Sequence, residues 1–421
     1  MRALALIDGE HYPDVVRGAF AESEHDVVGA VLLGGSEKLR AGESYGVPLY
    51  AGLEEGLAGT NAEIVLDLSD APVVDGRRRL RLAASALALG VPYAGADFRF
   101  DPVELEPLGV PALAVIGSGK RVGKTAVAGH VARLLARSRE VVVVAMGRGG
   151  PADPVLVETA PALDDLLALS RGGGHAASDY LEDAALAGVT AVGSRRAGGG
   201  LAGAPFSSNV REAARLAASL GPDLILLEGS GTVVPPVEAQ ARILVVGAGQ
   251  EPDDVVGHLG AYRVLISDLV VVTACTDAPE QLRRALEEVN PGIPVVATEL
   301  RPNPAEPVRG RRLAVFTTAP ACAHEAIRRH LELEHGAEVV SISGALARRD
   351  ELRADVARVG AVDAFLVELK AAAIDVVAEA TVERGIPIVL CDNEVRPLPG
   401  QPDLDGHVLA LAERCASRVP A

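Results

Sequence analysis

A short apolar run, Ala112–Ile116, leads straight into Gly117-Ser-Gly-Lys-Arg-Val-Gly-Lys-Thr125, and a helical pattern, Lys124–Arg137, begins on the last two residues of that loop. Strand, glycine loop and helix in this order bring backbone N–H groups and a helix N-terminus onto one anion. The main chain of Gly117, Gly119, Lys120, Val122 and Gly123 is expected to wrap a phosphate tail. Lys124 would reach the outer phosphates, and the Thr125 hydroxyl would ligate a divalent cation. Gly117 stands one residue further upstream than in the commonest form of such loops. The chain has only four Lys (Lys38, Lys120, Lys124, Lys370), and two of them stand in this loop.

The rest of the chain repeats the strand–helix alternation. Continuous apolar strands between helical stretches predict an α/β protein with mostly parallel sheets buried on both faces. At 421 residues it is too long for one ordinary core. We expect an N-terminal α/β domain over 1–105, a central phosphate-loop domain over 106–308 and a C-terminal α/β domain over 309–421, the outer two Rossmann-like. The Pro-rich, acidic stretch Asp101–Pro111 reads as the first linker. Residues from about 146 to Ser208 read as a long Gly-rich connection. Aromatics are few and Trp is absent, so the cores must be aliphatic.

A net charge of -17 excludes a broad nucleic-acid surface and sends the search to local groups of cations. Arg148 precedes Gly149-Gly150 at a strand end, where open α/β sheets bind ligands. Arg195 and Arg196 stand together in Gly193-Ser-Arg-Arg-Ala-Gly-Gly-Gly. Arg forks match phosphate or carboxylate oxygens bidentately. These three are expected to hold a second anion. Strand-end positions also single out His11, Gly34-Gly35-Ser36 and Lys370. The four dispersed Cys form no CxxC pair and suit a reducing compartment. No apolar run reaches the roughly 20 residues of a membrane span, and no secretory signal pattern is evident, so a cytoplasmic protein is expected.

The long spacing before GKT, and Glu228-Gly-Ser-Gly231 after the strand Asp223–Leu227, resemble dethiobiotin synthetase and its nucleotide-hydrolase relatives. That likeness implies Mg²⁺ contacts from Thr125, Glu228 and Asp179, the last from Ser178-Asp179 with Asp183 as competitor. It also implies an adenine-reading turn in Ala297–Pro304, centred on Arg301 and Pro302. Partition-type ATPases of the wider group carry a further Lys where Gly119 stands here. The segments IDGEHYP, GKRVGKTAV, ASDYLEDAALAGV, GSRRAGGGLAG, LEGSG, TELRPNP, ELKAAAIDVV and CDNEVRP together resemble cyclic 2,3-diphosphoglycerate synthetase over essentially the whole chain. That resemblance implies an ATP- and Mg²⁺-dependent ligase closing a diphosphorylated acid into a cyclic phosphoanhydride, working as a homodimer. In it, Lys124, Arg148, Arg195 and Arg196 would be catalytic. A dethiobiotin-synthetase-like carboxylate ligase and a P-loop ATPase switch are the alternative readings.

Overall fold

The computed structural model describes residues 1–40 and 43–418. Its first hundred residues form β1 (Arg2–Ile7), β2 (Asp26–Leu32), β3 (Leu49–Tyr50), β4 (Ile64–Asp67), β5 (Tyr93–Ala94) and β6 (Arg99–Phe100). They pair in the order β3-β2-β1-β4-β5-β6, parallel except for β5 with β6. The chain reverses its winding at β1, and Asp8-Gly-Glu-His11 leaves from that point.

The remaining strands build one 13-stranded sheet. They are β7 (Ala112–Gly117), β8 (Val141–Gly147), β9 (Val155–Val157), β10 (Thr190–Ala197), β11 (Ser207–Ser208), β12 (Leu224–Glu228), β13 (Ala241–Gly247), β14 (Leu269–Thr273), β15 (Val295–Pro304), β16 (Arg312–Phe316), β17 (Glu338–Ser343), β18 (Ala364–Glu368) and β19 (Ile388–Pro397). The order is β11-β10-β8-β12-β7-β13-β14-β15-β19-β18-β16-β17, with β9 added on β10. β7, wholly buried, lies between β12 and β13, so the glycine loop leaves the sheet where the strand order turns.

The two halves of this sheet join through β15 and β19, which pair antiparallel from Thr298 with Pro397 to Pro304 with Cys391. This corrects the reading of Ala297–Pro304 as a turn. Two prolines made it look like a breaker, but each sits in a two-stranded ribbon at the seam, where the strand runs on to Pro304 past Ala297, its last residue paired with β14. The supposed Gly-rich connection before Ser208 is also structured. It holds β9, helix Leu163–Arg171, a short helix Asp179–Glu182, a π-helical turn Asp183–Ala187 and β10.

Helix Lys124–Leu135 buries Ala126, Val127, Val131, Leu134 and Leu135 against the sheet. Each Val or Leu so buried contributes about 1.5–3 kcal/mol. Its far end is held from the C-terminal third of the chain. Arg133 pairs with Asp392 on β19 at 2.5 Å, and His130 with Asp405 of helix Leu404–Arg418 at 2.8 Å. The helix that starts at the glycine loop is thus clamped to the C-terminal region.

Candidate active site

The glycine loop needs its glycines for different reasons. A Cβ at Gly117 would lie 2.6 Å from Lys124 Cδ, so only Gly lets the lysine fold back over the strand end. Gly123 has φ +79° and packs on Thr273, a backbone state and a fit that exclude side chains. Arg121 also adopts a positive φ, +60°, at the tip, where it and Lys120 are exposed. The helix that follows has no side-chain cap, which leaves its first amides for a ligand. Lys124 donates to the Gly119 carbonyl at 2.8 Å and so bridges the loop from inside. Burial pulls its pKa down to about 8, with Glu228 and Asp179 opposing the shift and Arg148 and Arg196 adding to it.

Around that ammonium stands a group of buried acids. Glu228, the last residue of β12, is 1% exposed, and its Oε2 has no hydrogen-bond partner. Burial and then the charge of Asp179 raise its pKa to about 8, against a hydrogen bond from Thr125. Asp183 has neither carboxylate oxygen paired, and burial followed by Glu228 pushes it well up. Burial likewise raises Asp179, and raises Glu182 to about 8. Lys370 enters from the end of β18 and lies 3.4 Å from Glu182 Oε1. Burial works against its charge, but Glu182, Glu368 and Asp392 outweigh that and raise its pKa. Glu368 is held down in turn despite its burial, by Lys370 and by hydrogen bonds from Asn393, Thr317 and the Thr318 amide. Unpaired, buried hard oxygens beside a Thr hydroxyl suit a divalent cation. Among the described residues no three His, Cys, Asp or Glu side chains already form a cage, but Mg²⁺ usually takes only one or two carboxylates and completes its shell with phosphate and water.

The arginines divide. Arg148 and Arg196 approach each other over Gly231, whose added Cβ would lie 3.0 Å from an Nη2 of each. Arg196 is buried and donates to the Gly198 and Ser230 carbonyls at 2.8 and 2.9 Å, while its Nε is unpaired. Burial and then Arg148 lower its pKa. Two guanidinium ends thus converge on one glycine, an arrangement with the charge to hold an anion. Arg195 does not join them, which corrects the expected Arg pair. Successive residues of β10 point to opposite faces, and Arg195 is the exposed one.

Arg301 and Pro302 are a second correction. The ladder with β19 occupies this stretch of main chain, Arg301 pairs with Glu299, and the Pro302 carbonyl accepts from His330 at 3.0 Å. The stretch is therefore a strand with one edge paired, not the exposed turn the sequence suggests. His11 is tied to Asp8 at 3.1 Å in the N-terminal domain. Ser178 turns its hydroxyl to the His175 carbonyl at 2.6 Å, away from metal duty. Sequence reasoning missed Glu182 and Glu368. For Glu182 a signal existed, since Glu182-Asp183 interrupts the otherwise apolar run from Tyr180 to Ala187.

A mostly parallel sheet with a phosphate loop at its turning point, and buried lysines and acids around it, defines a P-loop nucleotide-binding enzyme. Three family models cover the chain: cyclic 2,3-diphosphoglycerate synthetase N-terminal domain over 2–101, P-loop domain over 112–299 and C-terminal domain over 304–394. A protein named cyclic 2,3-diphosphoglycerate synthetase from Rubrobacter xylanophilus is 48% identical, covering 99% of this chain and 98% of that one. Another of that name from Thermococcus kodakarensis is 43% identical, covering 99% of each. The chain belongs to the cyclic 2,3-diphosphoglycerate synthetase family. Among solved structures, the hydrogenase maturation factor HypB from Archaeoglobus fulgidus is similar over 53% of this chain and 88% of its own, at 14% identity. Its TM-score of 0.29 carries no argument here.

Proposed function

We propose that this chain uses ATP and Mg²⁺ to close 2,3-diphosphoglycerate into its cyclic phosphoanhydride, releasing ADP and inorganic phosphate. The observation that carries the reading is the paired seat: Arg148 and Arg196 over Gly231, in the field of the phosphate-loop Lys124. One seat fits the triphosphate and the other a second polyanion, in a chain whose net charge would otherwise repel both.

Two neighbouring phosphate monoesters repel, so one must be activated. An oxygen of one substrate phosphate attacks the γ-phosphorus, and ADP leaves. An oxygen of the second substrate phosphate then attacks the phosphorus of the activated one. The bond to the former γ-phosphoryl group breaks, inorganic phosphate departs, and the P–O–P ring bond is made. No protein nucleophile is needed, so catalysis is positioning and charge neutralisation. Lys124 neutralises the transferring group. Arg148 and Arg196 hold the acid in line, the latter fixed by its two carbonyl partners. Thr125 and Glu228, with Asp179 behind them, would hold the Mg²⁺, which when bound offsets charge on the phosphate oxygens. Exclusion of water by the buried site protects the activated acid from hydrolysis.

The test is a ³¹P spectrum of a reaction with ATP, Mg²⁺ and 2,3-diphosphoglycerate. New phosphoanhydride resonances from the acid, equal in amount to the ADP formed, are expected. Release of ADP and phosphate with the two monoester resonances intact would overturn the reading.

A further inference from the structure

Beside the site lies a cleft of about 230 Å³, between the loop after helix Leu163–Arg171 and the segment after β18. Its walls include His175, Ala176, Ala177, Arg349, Ala371 and Asp375. Two of these adjoin groups already placed in the site. Ala371 follows Lys370. His175 lies against Gly149, where a Cβ would be 2.7 Å from its ring, and so stands next to Arg148.

The cleft is built for an anion. Ala176 and Ala177 are 4% and 8% exposed, yet among the described residues their backbone N–H groups find no acceptor. The Ala371 amide is likewise without one, while the amides flanking it, Lys370 and Ala372, are taken by the Glu368 and Leu346 carbonyls. Arg349 pairs with Asp375 and among the described residues makes no other hydrogen bond, so most of its five donors remain for a ligand. Asp375 orients the fork rather than consuming it. One cation paired with one carboxylate, an imidazole and unpaired amides match a single compact anionic group, not a second triphosphate.

We propose that this cleft binds the carboxylate end of the phosphorylated acid, with Arg349 and His175 as its specificity-determining residues. The inference rests on the reading above and deepens it. Both phosphates must converge on Lys124, Arg148 and Arg196 to react, so the third anionic group of the substrate has to point elsewhere. The cleft at Lys370 is where it goes. Recognition of the non-reacting end aligns the reacting one. The C-terminal region, which contributes Arg349, Ala371 and Asp375, thereby selects the acid while the central region holds ATP.

The test is calorimetric titration of the full-length protein with 2,3-diphosphoglycerate, with 1,2-propanediol bisphosphate, which lacks the carboxylate, and with ATP. For Arg349→Met, the acid Kd should rise about tenfold or more, while the Kd values for the carboxylate-free bisphosphate and for ATP stay within about twofold. Retained ATP affinity shows that the variant is folded. His175→Gln, on the opposite wall, should give the same selective loss, and Arg349→Lys a partial one. If both bisphosphates weaken equally, or neither does, the cleft is not the carboxylate seat, whatever product forms. If the selective loss is seen but the ³¹P spectrum holds no cyclic product, the seat stands and the cyclisation reading falls. If the wild type binds no acid at all, both fall.

Discussion

The protein contains two mostly parallel sheets with ligand-type crevices, and the acids beside the phosphate loop are treated in the opposite way from those of the N-terminal crevice. In the N-terminal sheet, Asp8 accepts from the Glu10 and Asp70 amides at 2.9 and 2.8 Å and meets His11, and Asp67 accepts from Ser69, Arg79 and Tyr93. Burial alone would raise the Asp8 pKa, but those partners lower it. Beside the phosphate loop, Glu228 at the end of β12, with Glu182 and Asp183 from the short helix and the π-helical turn, keep buried oxygens unpaired, and burial raises all three; Glu368, further off at the end of β18, is saturated like Asp8. An unpaired buried polar group costs stability, so a fold retains it only where something else benefits. On the proposed function, the saturated crevice is architecture and the unsaturated one takes a cation and phosphates.

The largest expected effect tests the unsaturated side. Lys124→Ala should lower ATP turnover by about 10³-fold, measured as ADP release. Survival of turnover would mean that the phosphate loop is not the nucleotide seat. Glu228→Gln should cost about 10²-fold in Mg²⁺-dependent turnover.

The same variant sharpens the contrast through pH. Glu228 and Glu182 titrate near 8 in the folded protein against an ordinary 4.5, so the folded state binds more protons between those values. Stability of the ligand-free protein should therefore fall as pH rises from about 5 to 8. Glu228→Gln should flatten that fall in a Tm series. Asp8 has the opposite sign. Its stabilisation is present above the ordinary carboxylate range and lost as pH drops through its lowered value.

Next in size, Arg148→Ala or Arg196→Ala should raise KM for the acid by about 10- to 100-fold with little change for ATP. Arg195→Ala should change either by less than about threefold. An equal effect of Arg195 and Arg196 would mean that the two faces of β10 are not distinct in function. The smallest catalytic effect is expected from Asp8→Asn. It should cost about 1–3 kcal/mol of stability, read by denaturant unfolding, and leave kcat near that of the wild type. Lost turnover at unchanged stability would make the N-terminal crevice a working site and break the comparison.

Much of the nucleotide half was legible in the residues themselves. Gly117 to Thr125 reads locally because strand, loop and helix are consecutive in the chain and each uses its own residue types. Glu228 was legible because it ends an apolar run. Misreadings came where a partner from elsewhere decides the outcome. Arg301 and Pro302 looked like a turn until β19 arrived to pair with them. Arg195 and Arg196 looked like a pair until β10 separated them by its twofold alternation.

The chain alone therefore determined the phosphate loop, the α/β alternation and the family, because each depends on short-range pattern or on residues in sequence order. Only the tertiary structure decided which cations converge and which acids stay bare. Lys370, Glu182 and Glu228 come from three separated segments, and the charge state of each depends on burial and on neighbours that packing brings together.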